Sequence, residues 1–497
     1  MTRTIRSFCA LGAVLLLSAG LTAQTLGDFR SKVTGDWNSL GTWFYWNGSG
    51  WVDAFATPTD LSGVITIMPG HVVTVIDNRS ADQLIVSSGG TLTLSSGTLT
   101  VPDGAGIDLD VNGSLNLSGG SISTTGALRL NGGALNWNAG TIGGGGSLTI
   151  ASGTVTQNTP WTNNSIALVV DFGTWNTTLG NGTTIAPGGT LTWNSGTIAG
   201  PGGFTVDAAA TITLTTGNNK TLNSTLTNSG TINWGAGTWI GTGSVQNAAG
   251  GVFNINFDSF GQLQVPVVNS GAVNHTSSGS FATSATFTNS SGGSVNVNAG
   301  TWTFAAAWSN GGTLNIPTGR TLFVTSAGSL NAGSAFTGAG TFSVSSTVTQ
   351  NTPLTNTTSI LLLEVGAIWN TTTGNGTTIA PGGTLTWNSG TIAGPGGFTV
   401  AAGATATLTT GSNKTLNSTL TNSGTINWGA GTWIGTGNVQ NATGGVFNIN
   451  FDSFGQLNVP VVNTGAVNHT VSGNFATSTT FTNSSGGSVN VNAGTWT

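Results

Sequence analysis

Cysteine and charge are both scarce in this chain of 497 residues. The one cysteine, Cys9, lies within an N-terminal stretch that we expect to be removed, so the remaining chain offers no thiol for disulfides, nucleophilic catalysis or metal binding. Charged residues make up 5% of the chain, against about a quarter in an average protein. The nine lysines and arginines form no basic stripe, and we therefore expect no nucleic-acid partner.

An apolar period of 3.6 residues, typical of helices, is also missing. Apolar and polar residues instead alternate over three to five positions, as in a strand with one buried face. Val, Ile, Leu, Thr, Phe and Trp fill these strand positions, while Gly, Asn and Ser separate them. The chain is therefore predicted to be all-β.

A short motif, Gly-x-apolar-x-apolar, recurs about every twenty residues. Successive copies begin at Gly230, Gly251, Gly271, Gly293 and Gly312. Strands this short bury little surface alone, but stacked turns would close a continuous core. We predict a right-handed parallel β-helix (a β-solenoid) of about twenty residues per turn and on the order of 95 Å long. A β-sandwich array is the competing interpretation, but it would require units near 100 residues.

A much longer repeat is superimposed on this period. Residues 181–303 recur at 375–497 with 112 of 123 positions identical. The first copy continues into FAAAWSNGGTLNI, whereas the second stops at Thr497, and we expect this chain to be the front part of a longer protein. We assign residues 89–497 to the solenoid.

Residues 1–23 resemble a secretory signal peptide. Arg3 and Arg6 precede a short apolar stretch, and Ala23 offers a small-residue cleavage site. The stretch is too short to span a bilayer, and so we predict no transmembrane segment and an extracellular or outer cell-surface location.

Residues 24–88 differ in composition from the remainder and hold nine of the 23 charged residues and many aromatic residues. We predict that this segment caps the solenoid, which needs a polar, non-tiling end. The alternative is a small sugar-binding module, whose candidate carbohydrate-binding residues are Trp37, Trp43, Trp46 and Trp51.

The stretch RSKVTGDWNSLGTWFYWNGSGWVDAFATPTDLSGVITIMPGHVVTV resembles the opening of repetitive secreted β-helix proteins of Bacteroidota-type bacteria. The matching positions are Arg30, Ser31, Gly35, Trp37, Thr42, Trp43, Trp51, Pro58, Gly70 and His71. The resemblance implies cell-surface or extracellular residence, often through type IX secretion. It supplies no catalytic residues.

Few residues could carry chemistry. Asp108 and Asp110 are expected to share an outward strand face, and Arg129, Lys220 and Lys414 are expected to be isolated cations. No acid pair, metal-ligand set or cofactor motif emerges, and we predict no enzymatic activity, no metal and no cofactor. Asp258 and Asp452 occupy equivalent places in the two copies and are too far apart to act together.

Two residue columns are predicted to organise the solenoid. Tryptophans such as Trp137, Trp193 and Trp234 are expected to fill the core. Outward positions are expected to form one polar ladder. Its members are Thr93, Asn116, Asn136, Thr192, Asn233, Asn254, Asn274, Asn296 and Asn315.

These features favour a secreted bacterial structural or adhesive rod (a stalk, adhesin or matrix protein). Its expected partners are a polysaccharide or a ligand on a host or neighbouring cell surface, together with further copies of itself. The alternative is a carbohydrate-binding or carbohydrate-active β-helix of the lyase or hydrolase type.

Overall fold

The computed structural model describes residues 24–257, 262–451 and 456–497. The predicted signal peptide, Asp258 and Asp452 lie outside these ranges. Strands make up 52% of the structure, and they form a parallel β-solenoid of about 20 turns with roughly 21 residues each. The predicted solenoid is confirmed. None of the helices in the described ranges is long and apolar enough to cross a membrane.

Each turn contributes one strand to each of three faces, which we call the first, second and third face. Two long strands, Ala127–Trp137 and Ser147–Gln157, bend from the first face into the second. The other first-face strands are Ile65–Ile67, Leu84–Val86, Leu109–Val111, Ala167–Val170, Thr190–Trp193, Thr211–Leu214, Thr231–Trp234, Val252–Ile255, Ala272–His275, Ser294–Val297, Thr313–Asn315, Ala335–Thr337, Leu354–Asn356, Thr377–Ile379, Phe398–Val400, Thr419–Asn422, Asn438–Asn441, Val461–Asn463 and Phe481–Asn483.

The second face stacks in the same way along the length of the solenoid. Its strands are Val72–Val75, Thr91–Leu94, Ser114–Leu117, Thr174–Thr177, Gly196–Ala199, Lys220–Asn223, Trp239–Ile240, Gln262–Leu263, Ser280–Thr283, Thr301–Phe304, Thr321–Val324, Thr341–Val344, Ile360–Leu363, Thr384–Trp387, Thr405–Leu408, Thr425–Trp428, Val446–Ile449, Ala466–His469 and Ser488–Val491.

The third face completes each turn. Its strands are Arg79–Ser80, Thr98–Val101, Ser121–Thr124, Thr141–Gly144, Trp161–Asn163, Thr183–Ile185, Phe204–Val206, Thr225–Asn228, Ser244–Asn247, Val267–Asn269, Phe287–Asn289, Trp308–Asn310, Gly328–Leu330, Thr347–Gln350, Ile368–Thr371, Gly390–Ala393, Lys414–Asn417, Trp433–Ile434, Gln456–Leu457, Asn474–Thr477 and Thr495–Trp496.

Alternate residues of each strand point into one continuous core. Leu92, Leu115 and Leu135, for example, are in register on successive turns, and all three are fully buried. Trp137, Trp193 and Trp234 are also fully buried, which confirms their predicted role as core residues. Because every turn buries its apolar side chains against the next, strands of three or four residues are stable here.

A ladder of buried asparagines, which the sequence pattern did not predict, runs inside the solenoid. The Nδ2 of Asn228 donates to Asn247 Oδ1 at 2.7 Å, and that of Asn247 to Asn269 Oδ1 at 2.7 Å. The chain of bonds continues through Asn289 to Asn310 at 2.8 and 2.6 Å. These amides lie at the inward end of third-face strands, where each turn satisfies the polar groups of its neighbour.

The predicted outward ladder is two ladders on different faces. Asn116 and Asn136 stack on the second face, where Asn136 Nδ2 donates to Asn116 Oδ1 at 2.8 Å. Asn254, Asn274 and Asn296 stack on the first face, with each Nδ2 donating to the preceding turn at 2.8 to 2.9 Å. Asn136 itself belongs to the long strand Ala127–Trp137. A single continuous ladder was therefore a wrong expectation.

The second copy of the long repeat is rotated by one face relative to the first. Thr190–Trp193 lies on the first face and stacks on Thr211–Leu214, whereas its counterpart Thr384–Trp387 continues the second face through Ile360–Leu363. Equally, Gly196–Ala199 belongs to the second face and its counterpart to the third. The 194-residue shift therefore corresponds to nine turns and one further face.

The N-terminal segment contains the antiparallel part of the structure. Phe29–Ser31 pairs antiparallel with Trp43–Trp46, which pairs antiparallel with Trp51–Asp53. A 3-10 turn, Leu40–Thr42, precedes the middle strand, and Gly35–Asp36 stacks on the second face. Parallel stacking begins with Phe29–Ser31, which pairs in parallel with Ile65–Ile67 inside the segment assigned to the head. The parallel stack therefore extends into residues 24–88, and the capping role of that segment stays a prediction.

Candidate functional site

The four candidate sugar-binding tryptophans divide into two pairs. Trp37 and Trp43 are fully buried and pack edge to face, with ring centroids 5.0 Å apart. Trp46 and Trp51 lie on the opposite side of the antiparallel sheet and are partly exposed. Because a sugar must reach the face of an aromatic ring to stack on it, the expectation was wrong for Trp37 and Trp43. Only Trp46 and Trp51 remain candidates.

The positions that carry the sequence resemblance hold the N-terminal segment together. Trp37 Nε1 donates to the carbonyl of Pro58 at 3.1 Å, and Trp43 Nε1 donates to the carbonyl of Trp37 at 2.8 Å. The Ser31 hydroxyl lies 2.8 Å from His71 Nδ1. His71 therefore has a hydrogen-bond partner on the first strand of the segment. The motif thus encodes packing of the segment against the first turns.

The exposed side of the antiparallel sheet forms an aromatic and cationic platform, which comprises Arg30, Lys32, Phe44, Trp46 and Trp51. The Arg30 guanidinium lies 4.4 Å from the ring centroid of Trp51, and Trp46 meets Trp51 edge to face at 5.4 Å. Lys32 Nζ lies 5.2 Å from the Phe44 ring. Register explains this grouping, because Arg30 pairs with Phe44 and Trp46 pairs with Trp51 across the sheet.

The platform can contribute planar stacking and hydrogen-bond donors. Arg30 covers one face of Trp51, so the Trp46 ring is the better candidate for stacking on a sugar. Lys32 is held by an ion pair with Asp53 at 2.6 Å. A small cavity of about 60 Å³, lined in part by Trp51, Phe29 and Thr66, adjoins the platform.

Asp108 and Asp110 do not share an outward face. Asp108 is fully buried and accepts hydrogen bonds from the backbone N–H groups of Gly104 and Ala127, at 2.9 and 2.6 Å. Asp110 faces outward and binds Arg129 on the next turn through two bonds of 2.9 and 3.0 Å. The ion pair raises the pKa of Arg129. Arg129 is therefore paired, not isolated, and neither carboxylate is a free cation ligand.

The carboxyl group of Asp82, on the preceding turn, contacts the carboxyl group of Asp108. Burial raises the pKa of Asp82, and its hydrogen bond with Asp108 raises it further. The backbone N–H of Gln83 donates to Asp82 Oδ1 at 2.9 Å, and this hydrogen bond lowers the pKa of Asp82. Because the two carboxyl groups are already engaged with backbone donors on successive turns, their geometry supports a structural contact between the turns.

Lys220 and Lys414 are buried, contrary to the expectation of isolated corner cations. Lys220 Nζ donates to the carbonyls of Asn218 at 2.9 Å and Ala236 at 3.1 Å, and also to the Thr216 carbonyl. Lys414 repeats this arrangement, with Ser412 at 2.8 Å and Ala430 at 3.1 Å. Burial lowers the pKa of each lysine to about 8. The carbonyl oxygens favour the charged form and offset part of this effect.

The two solenoid histidines lie in the core. His275 and His469 are fully buried and pack against Phe281 and Phe475, with ring centroids 5.7 and 6.0 Å apart. Neither ring nitrogen of His469 has a hydrogen-bond partner among the described residues. His469 therefore fills core space beside Phe475.

No cluster of three or more metal-ligating side chains occurs within residues 24–257, 262–451 and 456–497. Comparison with protein-family models and with curated proteins yields no match to this chain.

Proposed function

We propose that the protein is a secreted or surface-displayed bacterial rod that serves as a stalk, adhesin or matrix component. The observation that carries this proposal is the continuity of the core over about 20 turns, which corresponds to a rod about 95 Å long. Asparagine ladders and buried tryptophans hold successive turns together. Such a solenoid keeps its two ends far apart, as a stalk requires.

Surface composition supports the same role. Charged residues are 5% of the chain, and beyond Arg129 they are widely separated in the sequence. The outer face of the solenoid therefore presents mainly hydroxyl and amide groups, as the outward asparagine ladders illustrate. The resemblance of the N-terminal segment to secreted Bacteroidota-type proteins and the leader-like residues 1–23 support export.

Protease shaving of intact cells tests surface display. Cells that express the full chain with an epitope tag at Thr497 are treated with an external protease, and a periplasmic protein serves as the control for an intact envelope. A displayed or secreted rod loses its tag or appears in the medium while the control protein survives. Retention of a fully protected tag inside the cell contradicts the proposal.

A carbohydrate-binding role of the platform is the second candidate. Its supporting observation is the partly exposed Trp46 next to Arg30 and Trp51. Trp46→Ala should weaken retention of the chain in gels that contain a bound polysaccharide. Phe172→Ala is the matched control, because Phe172 is 64% exposed and lies outside the platform. Equal retention of both variants and the parent chain in every gel argues against this role.

A further inference from the structure

A shallow groove occurs twice on the solenoid, at equivalent places in the two copies of the long repeat. The first groove has a volume of about 380 Å³ and is formed by residues 200–201, 223–225 and 242–244 of three successive turns. The second has a volume of about 410 Å³ and is formed by residues 394–395, 417–419 and 436–438. Every lining position of one groove has its counterpart in the other, and the one difference is Ser244 against Asn438.

Glycine makes the groove concave. Gly200 has φ +96°, and a Cβ there would lie 1.9 Å from the carbonyl oxygen of Thr177. A Cβ on Gly243 would lie 2.1 Å from the carbonyl oxygen of Ser224. Stacking of the turns therefore requires glycine at both corners. The resulting floor is bare backbone, which a ligand can approach closely.

Hydrogen bonds fix the polar groups of the groove. The Ser224 hydroxyl donates to the Gly200 carbonyl at 2.6 Å, which ties two turns together. The backbone N–H and the hydroxyl of Thr242 donate to Asn223 Oδ1 at 3.0 and 3.3 Å. This holds the exposed Asn223 amide in place, and its Nδ2 donates no hydrogen bond within the described part of the chain. Asn417 is held in the same way by Thr436.

The groove has the chemistry of a site for neutral sugars. Hydroxyls and an amide line it, no charged side chain does, and its volume lies within the range of small-ligand sites. Sugar hydroxyls both donate and accept, and they match such a surface without requiring charge.

The rotation of the second copy separates the two grooves in direction as well as in distance. The first lies at the corner between the second and third faces, and the second lies at the corner between the third and first faces. Nine turns and one face correspond to about 45 Å along the rod. A straight polymer lying in one groove would therefore not enter the other.

We propose that each groove binds a neutral polysaccharide and that the rod cross-links separate glycan chains. This inference rests on the proposed extracellular role and adds a ligand class and a valency to it. Two sites facing different directions convert weak single contacts into a network.

The test uses the chain from Gln24 to Thr497 in a Trp46→Ala background, so that the platform cannot supply the binding. Soluble dextran, mannan and xyloglucan are the neutral probes, and polygalacturonate is the anionic probe. Thr225→Arg and Thr419→Arg block one groove each, and Thr213→Arg, on the outward side of a first-face strand, is the matched control. Affinity electrophoresis reports binding, and light scattering reports cross-linking.

We expect the unblocked chain and the control to bind at least one neutral polymer and to raise its light scattering. Each single-groove variant should still bind but lose the scattering increase, and the double variant should lose at least tenfold in affinity. Scattering that persists in a single-groove variant, unchanged binding by the double variant, preference for polygalacturonate, or no binding at all overturns the inference. Protease shaving reports surface display independently, so that the two proposals can fail separately.

Discussion

Trp193 and Trp387 occupy the same position in the two copies of the long repeat, but their strands lie on different faces of the solenoid. Trp193 is in register with Val170 on the first face, and Trp387 is in register with Leu363 on the second. Both indoles are fully buried. The core therefore accepts the same block in two orientations, because its three faces offer similar apolar columns.

Deletion of one repeat length should leave a folded, shorter rod. Removing residues 184–377 joins Thr183 to Thr378, so that the second copy takes over the place of the first. The rod should shorten by about 45 Å, because nine turns and one face are lost at about 4.8 Å per turn. Small-angle X-ray scattering of the purified chain measures this change in length.

A ten-residue deletion provides the control for this prediction. Removing residues 184–193 displaces the later strands by roughly half a turn, or one and a half faces, so that strands would lie over the corners of the neighbouring turns. This variant should lose cooperative unfolding. If the long deletion unfolds the chain, or if both deletions are tolerated equally, the modular account is wrong.

The buried asparagine ladder should contribute more to stability than the exposed one. Asn269 is fully buried and bonds to Asn247 and Asn289, whereas Asn274 is half-buried on the outer face. Asn269→Ala leaves buried polar groups unpaired and should lower the free energy of unfolding by about 3 kcal/mol. Asn274→Ala should lower it by about 1 kcal/mol or less. Urea unfolding compares the two variants, and an equal loss in both contradicts the assignment of an internal ladder.

Alkaline pH should stabilise the folded chain through Lys220 and Lys414. Their pKa values are lowered from 10.5 to about 8 in the folded state by burial. Between these values the unfolded chain binds more protons than the folded chain, so the free energy of unfolding increases as pH rises. Urea midpoints at pH 7.5, 9 and 10 measure this trend.

The double variant Lys220→Met/Lys414→Met should lose this pH dependence. Lys32→Met is the matched control, because Lys32 forms a partly exposed ion pair with Asp53 and should leave the trend intact. If the urea midpoint of the unchanged chain does not vary between pH 7.5 and 10, the carbonyl oxygens hold both ammonium groups fully charged and the prediction is wrong.

Periodicity in the sequence was sufficient to predict the solenoid and its tryptophan core. A strand with one buried face must alternate apolar and polar residues, and a repeating turn must repeat its glycine corners. Both patterns are local, and both can therefore be recognised in the sequence. The inner asparagines were missed because their positions end short third-face strands, where Asn also suits a turn. Sequence alone does not distinguish an asparagine in a turn from an asparagine in the inner ladder.

Contacts between turns account for the remaining errors. Asp110 and Arg129 are 19 residues apart and meet only because their strands are in register. The sequence around Lys220 indicates a surface cation, but in the structure the loop carbonyls of two successive turns surround its ammonium group. The rotation of the second copy depends on how many faces the residues between the copies occupy, and the lengths of the intervening loops are irregular. Such features follow from register, which composition does not specify.

Disulfide trapping tests the central claim of a continuous solenoid built from turns stacked in register. Ser343 and Leu362 are in register on the second face, immediately before the second copy begins. In a chain with Cys9 changed to Ser, Ser343→Cys/Leu362→Cys should form an intramolecular disulfide on mild oxidation, detected by mass spectrometry of proteolytic fragments. Thr337→Cys/Leu362→Cys should not, because Thr337 lies on the first face. Efficient trapping of the second pair and not of the first would contradict the account.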